Sequence, residues 1–215
     1  MSVSLDQILE MPNAAILAQR IQSALEEEQE KRRHFYEIIQ EDRKMEFING
    51  EIIFQSPAKL RHTTAVTLLL KLLHTFVSNH DLGYVGGEKM LVSLTRNDYE
   101  PDICFFEKNK ANEFSPAQMQ FPAPDLVVEV LSPSTEKNDR ETKFQDYAAH
   151  GIREYWVVDA EHEMIEQYIL QDEQYDLFVK AKDGHIQSVV LPEFSILIRA
   201  VFDAKVNLEE LKGMI

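Results

Sequence analysis

The 215-residue chain has one cysteine, Cys104. A lone thiol excludes an internal disulfide, and its place in the apolar run 103–106 reads as a buried, inert thiol in a cytoplasmic setting. No apolar run approaches the roughly 20 residues needed to span a bilayer, so no membrane partner is expected. Residues Met1 to Gln7 lack the basic-then-apolar order of a signal peptide. Basic residues are scarce: 22 Lys and Arg stand against 37 Asp and Glu, for a formal net charge of -15. That shortage weighs against tight binding to nucleic acid, where Lys and Arg must meet phosphates. A local basic surface or a bridging divalent cation can still act against the global sign. The bulk of the charge reads as an aid to solubility. Several familiar sites are missing too: no Gly-rich phosphate loop, GxSxG elbow, CxxC pair or HExxH. The seven histidines show no metal-ligand spacing, and Asp183-Gly184 lacks the rest of a calcium loop.

What is present is a pattern of alternating elements. Residues 1–44 read as a helical extension. Ile16, Leu17, Ile21 and Leu25 recur at helical spacing, and the charged run Glu26–Arg33 offers i,i+4 pairs. That face is either solvated or packed on a second subunit. Met45–Ile48 and Glu51–Phe54 flank Asn49-Gly50, a hairpin signal. A helix is expected over Leu60–Asn79, with Gly83 supplying the positive φ of its exit. Two strands follow, Lys89–Leu94 and Ile103–Phe106, and then a polar loop over 108–123. The centre is Leu126–Leu131, a Ser/Pro turn, a helix over Asp139–Ala149 stopped at Gly151, and a strand over Glu154–Asp159. A meander follows: Met164–Leu170, Tyr175–Lys180, a turn at Asp183-Gly184, Ile186–Leu191 and Ser195–Val201. A terminal helix is expected over Leu208–Met214. Strand, helix, strand with hairpins on either side predicts an α/β domain over 45–215, a mixed sheet flanked by helices.

The chemistry is carried by carboxylates on strands. Leu126–Leu131 is apolar on both faces except for Glu129, and a carboxylate there is costly unless a cation meets it. Asp102, Asp125 and Glu129 are the main candidates, with Glu46, Glu88 and Glu107 outside them. Asp125 and Glu129 share a face but lie roughly 13 Å apart at about 3.3 Å per residue. Asp125 also reads as a strand-start residue. Asp102 begins a neighbouring strand, where cross-strand neighbours lie about 4.5–5.5 Å apart, so Asp102 and Glu129 could share one Mg²⁺. Lys143 either pairs with Asp139 at i,i+4 or leans over the sheet to the carboxylates, where it could orient a water. His62, in a first helical turn, reads as a surface or capping residue or as a ligand.

Pro101-Asp102 and the stretch Pro124-Asp125-Leu126-Val127-Val128-Glu129-Val130-Leu131-Ser132-Pro133-Ser134-Thr135, followed by Asp139, Lys143, Tyr147, Gly151, Glu154-Tyr155-Trp156 and Asp159, resemble the Uma-type restriction endonucleases of the PD-(D/E)XK nuclease superfamily. Glu46, Asn49-Gly50-Glu51, Ser56-Pro57, His62 and Leu191-Pro192 extend the resemblance over roughly residues 45–200. It implies a restriction endonuclease-like core and Mg²⁺-dependent hydrolysis of DNA, in duplex form, with Mn²⁺ able to substitute. It makes Asp102 the motif's aspartate and Glu129 its second acid. Leu131 stands where the lysine is expected, and Lys143 is the matching position on the following helix. Asp102, Glu129 and the Val130 carbonyl would hold the metal, with Lys143 positioning the water. Glu46, His62 and Asp125 are accessory positions. The acidic balance implies weak, salt- and metal-dependent DNA binding, and a homodimer is expected. The alternatives are a nuclease fold that no longer cuts and serves protein association, and hydrolysis of a small phosphorylated substrate.

Overall fold

The computed structural model describes residues 4–39 and 43–214. Its elements run α1 (Leu5–Leu9), α2 (Ala14–Ile38), β1 (Met45–Ile48), β2 (Glu51–Phe54), α3 (Leu60–His80), β3 (Gly83–Gly87), β4 (Leu91–Ser93), β5 (Asp98–Tyr99), β6 (Ile103–Glu107), α4 (Lys108–Ala111), β7 (Gln120–Phe121), β8 (Leu126–Val130), α5 (Glu136–Arg140), α6 (Thr142–Ala149), β9 (Glu154–Asp159), β10 (Met164–Gln171), β11 (Gln174–Ala181), β12 (His185–Gln187), β13 (Ser195–Leu197), a 3-10 turn (Ile198–Val201) and α7 (Ala204–Met214). A six-stranded sheet in the order β11-β10-β9-β8-β6-β3 forms the centre. Only its β8–β9 pair is parallel, bridged by α5 and α6. This is the mixed sheet flanked by helices that the pattern predicts.

Alternation along the central strands sorts the core. Leu126, Val128 and Val130 of β8, with Ile103 and Phe105 of β6, pack on Leu69, Leu72 and Phe76 of α3. Val127 and Cys104 face the other way, onto Tyr147 and Ala148 of α6 and onto Val92 and Tyr99 of a second sheet. That second sheet runs β2-β1-β5-β4-β7. Its outer face takes Phe35 of α2 against Met45, Phe47 and Leu91. Glu129 is two residues from Val127, and Glu46 lies between Met45 and Phe47. Both acids therefore point into the layer between the sheets.

The end of α2 is bolted to that second sheet. Arg32 grips the Asp98 carboxylate with Nε at 2.6 Å and Nη2 at 2.9 Å, and Tyr36 donates to Asp98 at 2.8 Å. The first part of the arm is exposed: Leu5, Leu9, Ile16, Ile21 and Leu25 all face solvent.

Several elements differ from the sequence expectation. Strand β3 escapes notice because three of its five residues are glycine, which β-propensity disfavours. Gly86 is required there, since a Cβ would lie 1.8 Å from Met90 Sδ. The left-handed exit of α3 is Asp81 (φ 54) rather than Gly83. The helix expected over 139–149 breaks at Glu141 into α5 and α6, and the Asp139 carbonyl accepts the Tyr155 hydroxyl at 3.0 Å. Strand β12 stops at Gln187: the Ser188 amide still reaches the Phe194 carbonyl at 3.0 Å, and the two amides after it turn to Glu154. That fully buried carboxylate accepts Trp156 Nε1 and Gln167 Nε2, both at 2.6 Å, on one oxygen. Ser188 Oγ (2.7 Å) and the Val189 and Val190 amides (both 3.0 Å) meet the other. Strand β13 gives way to the 3-10 turn after Leu197. Helix α7 starts at Ala204, where Asp203 accepts the Lys205 and Val206 amides.

Glu154→Ala would leave Trp156 Nε1, Ser188 Oγ and the Val189 amide without an acceptor, while Gln167 Nε2 keeps the Gln187 carbonyl at 2.7 Å and the Val190 amide keeps Ser188 Oγ at 3.2 Å. The expected cost is about 3–5 kcal/mol, a fall in Tm of roughly 10 °C for a domain of this size. A calorimetric loss below about 1 kcal/mol would show that the 188–190 turn is held by something else.

Candidate active site

Strands β6 and β8 pair with Ile103 opposite Val128. One more step of that register sets Asp102 opposite Glu129. Both are 3% exposed, and both line a cleft of about 430 Å³ between the end of the sheet, the start of α3 and the Ser132–Glu136 turn. The Asp102 carboxylate accepts the Val130 amide at 2.8 Å on one oxygen. Its other oxygen meets Lys44 Nζ at 2.7 Å and His62 Nε2 at 3.5 Å. Glu129 Oε1 accepts Lys143 Nζ and the Tyr147 hydroxyl, both at 2.9 Å. Lys143 is 1% exposed and also meets Glu46 at 2.9 Å and Asp139 at 3.2 Å. It thus makes the i,i+4 pair and leans over the sheet as well.

Burial dominates the electrostatics. It pushes the Glu129 carboxyl up to about 8; Lys143 opposes the rise, while Asp139, Asp102 and Glu46 add to it. Asp139 moves up for the same leading reason. Burial also disfavours a charged Asp102, but His62 and Lys44 outweigh it and hold that carboxyl well below the usual range. Lys143 is held protonated, because Glu129, Glu46 and Asp139 outweigh its desolvation.

These directions fix a pH dependence for the metal-free protein. A carboxyl raised in the folded state contributes stability that is full below its unfolded pKa of about 4.3 and is lost as pH rises through about 8. Asp102, lowered instead, loses its contribution only in acid. In EDTA, Tm should therefore fall between pH 5 and 9, and Glu129→Gln should flatten the fall. An equally steep fall in that variant would place the titration elsewhere.

Residues 32–200 match the model of a protein family described as "Uma2: Putative restriction endonuclease". The chain belongs to the Uma2 family. Its fold is that of a solved structure described as a "putative nuclease belonging to DUF820" from Anabaena variabilis ATCC 29413. The two share 18% identity at a TM-score of 0.67, over 82% of this chain and 96% of the other. No curated protein matches the chain.

In this Uma2 chain the cleft gathers Asp102, Glu129, Lys143 and His62, with Glu46 reaching them through Lys143. Val130 lends its amide to Asp102. Asp125 stands apart at the other end of β8. It accepts the Glu107 amide at 2.8 Å and pairs with Lys110 at 2.9 Å and Arg153 at 3.4 Å. Its contacts are those of a strand-end residue. Sequence reasoning passed over Lys44, at the end of a stretch read as solvated helix, and gave Asp139 only a pairing role. The polar alternation of Lys44 with Glu46 was the available signal: side chains two apart on a strand share a face.

The residues fit a divalent cation. Glu46, Asp102, Glu129 and Asp139 would carry four negative charges if all were ionised, against two on Lys44 and Lys143, and a cation could take the place of the protons that burial favours on Glu129 and Asp139. His62 Nδ1 is buried and has no hydrogen-bond partner among the described residues. One ligand atom each from His62, Glu88 and Asp102 lie within 4.8 Å of one another. Glu129 is outside that set but faces the same cleft.

Proposed function

We propose that this chain is a divalent-metal-dependent endonuclease that hydrolyses phosphodiester bonds in DNA, using Mg²⁺ or Mn²⁺. The observation that carries the reading is the buried Asp102–Glu129 pair at one cleft, within a cluster of four buried acids. Asp102, Glu129 and the Val130 carbonyl would hold the ion, with His62 and Glu88 on the outer side of Asp102. A bound ion supplies an activated water and positive charge against the phosphate. Lys143 orients Glu129 and opposes the upward push of burial on its carboxyl, with the Tyr147 hydroxyl as second donor. Lys59 and Arg61 on the cleft wall offer charge to flanking phosphates. With a net charge of -15, binding is weak and falls steeply with salt. The buried free thiol of Cys104 fits a cytoplasmic setting. Among the described residues no helix is long and apolar enough to cross a membrane.

Calorimetric titration with Mn²⁺ tests the reading. Wild-type protein should give binding heat that Glu129→Ala weakens about 100-fold. No heat in the wild type, or equal heat in the variant, would remove its basis.

A second reading, a nuclease fold serving as a dimerisation or protein-interaction module, is favoured by the exposed Leu5, Leu9, Ile16, Ile21 and Leu25 of the α1–α2 arm. It predicts a homodimer in sedimentation together with no metal-dependent cleavage.

A further inference from the structure

Three lysines line the cleft, Lys44, Lys59 and Lys143, and the two that meet its buried acids, Lys44 and Lys143, differ in what they can reach. Lys143 is enclosed by Glu129, Glu46 and Asp139 at 2.9, 2.9 and 3.2 Å, with the Tyr99 ring 5.6 Å from its Nζ. Its side chain is 1% exposed. All of its charge is spent on buried carboxylates, and a phosphate oxygen approaching it would have to displace one of them. Lys44 is the contrary case. Among the described residues it makes one ion pair, with Asp102, and its side chain is 17% exposed. Its backbone is fixed, since the Lys44 carbonyl accepts the Gln55 amide at 3.2 Å where the β1–β2 ladder ends. Strand alternation puts Lys44 on the same side as Glu46, so the segment that anchors Lys143 also delivers Lys44 to the cleft.

We propose that Lys44 is the residue that contacts the scissile phosphate, and that Lys143 is a positioning residue acting through Glu129. This rests on the nuclease reading. A phosphate meeting the Asp102–Glu129 pair brings negative charge to a cluster already rich in it. An ammonium group at the solvent side of Asp102, with one carboxylate partner and freedom to move along its four-carbon stem, is suited to receive that charge. The lysine missing from Leu131 is in this account replaced by a division of labour: one enclosed lysine for the acid and one open lysine for the substrate.

The test compares Lys44→Ala and Lys44→Arg with wild type in three measurements: single-turnover DNA cleavage in Mn²⁺, Mn²⁺ calorimetry, and anisotropy of a fluorescent single-stranded oligonucleotide in Ca²⁺ over a salt series. Lys44→Ala should cleave about 10²–10³-fold more slowly, while Lys44→Arg recovers part of the rate. Mn²⁺ should bind Lys44→Ala as tightly as wild type or more tightly, since a competing cation has left Asp102. The slope of log affinity against log salt should shrink by about 0.7, the value of one phosphate contact to a single strand. Lys44→Ala cleaving within threefold of an active wild type overturns the proposal. So does loss of Mn²⁺ binding in Lys44→Ala, which would make Lys44 a mere prop for Asp102. A wild type that does not cleave defeats the nuclease reading instead, and the salt slope still decides Lys44: an unchanged slope overturns the phosphate contact.

Discussion

Lys143→Met should be the most destabilising single change at this site, lowering stability by about 3–5 kcal/mol. The substitution keeps the length of the side chain but leaves Glu46, Glu129 and Asp139 buried without their shared cation. Removing one member of a buried ionic cluster costs more than the cluster is worth, because the remaining charges cannot leave. Glu129 and Asp139 already sit above the usual carboxylate range with Lys143 in place. Without it they would take up protons or draw in water. Adding Glu129→Gln should return a good part of the loss, because one of the stranded charges has gone. Chemical denaturation of the single and double variants measures this coupling. If the double variant is less stable by the sum of the two single losses, Lys143 and Glu129 do not act as a pair.

Asp102→Ala should do the opposite, sparing the fold and removing the activity. Of its partners only the buried Val130 amide loses its acceptor: Lys44 is partly exposed, and the acid's departure relieves repulsion on Glu129. Tm should move by no more than a few degrees. Cleavage should fall by about 10³-fold or more, the loss expected when a metal-holding acid is removed from a site that depends on electrostatic stabilisation. Mn²⁺ heats should vanish with it. An Asp102→Ala protein that melts far below wild type would make this acid a structural member like Glu154. One that keeps its activity would move the metal away from Asp102.

The two predictions divide the cluster along a line that the sequence shows only in part. Glu129 is conspicuous as the single acid in an apolar strand. Asp102 follows once β6 and β8 are paired, and their register, Ile103 opposite Val128, is the one that brings the two together. Lys143 is legible as a helical lysine four residues after Asp139, but its partner Glu46 arrives from β1, more than 90 residues earlier in the chain, and no local pattern announces that. The same holds for Lys44, which belongs to the cleft only because the residue before β1 meets Asp102, the residue before β6. Beside the break at Glu141 the Tyr155 hydroxyl donates to the Asp139 carbonyl, and beyond β12 Glu154 takes the Val189 and Val190 amides; both are tertiary contacts that local helix or strand preference does not foresee. Strand β3 was hidden by its glycines, which are there to admit Met90 and the backbone of β6. Local periodicity thus gave the central elements, while the charge partners came from elements distant in sequence.

The most direct measurement is cleavage of closed circular DNA by purified protein in Mg²⁺ or Mn²⁺, with Asp102→Ala carried through the same purification. The account predicts nicked and then linear product with the wild type, none in EDTA, and none with Asp102→Ala. No product from a folded, metal-binding wild type, or equal product from Asp102→Ala, would contradict it.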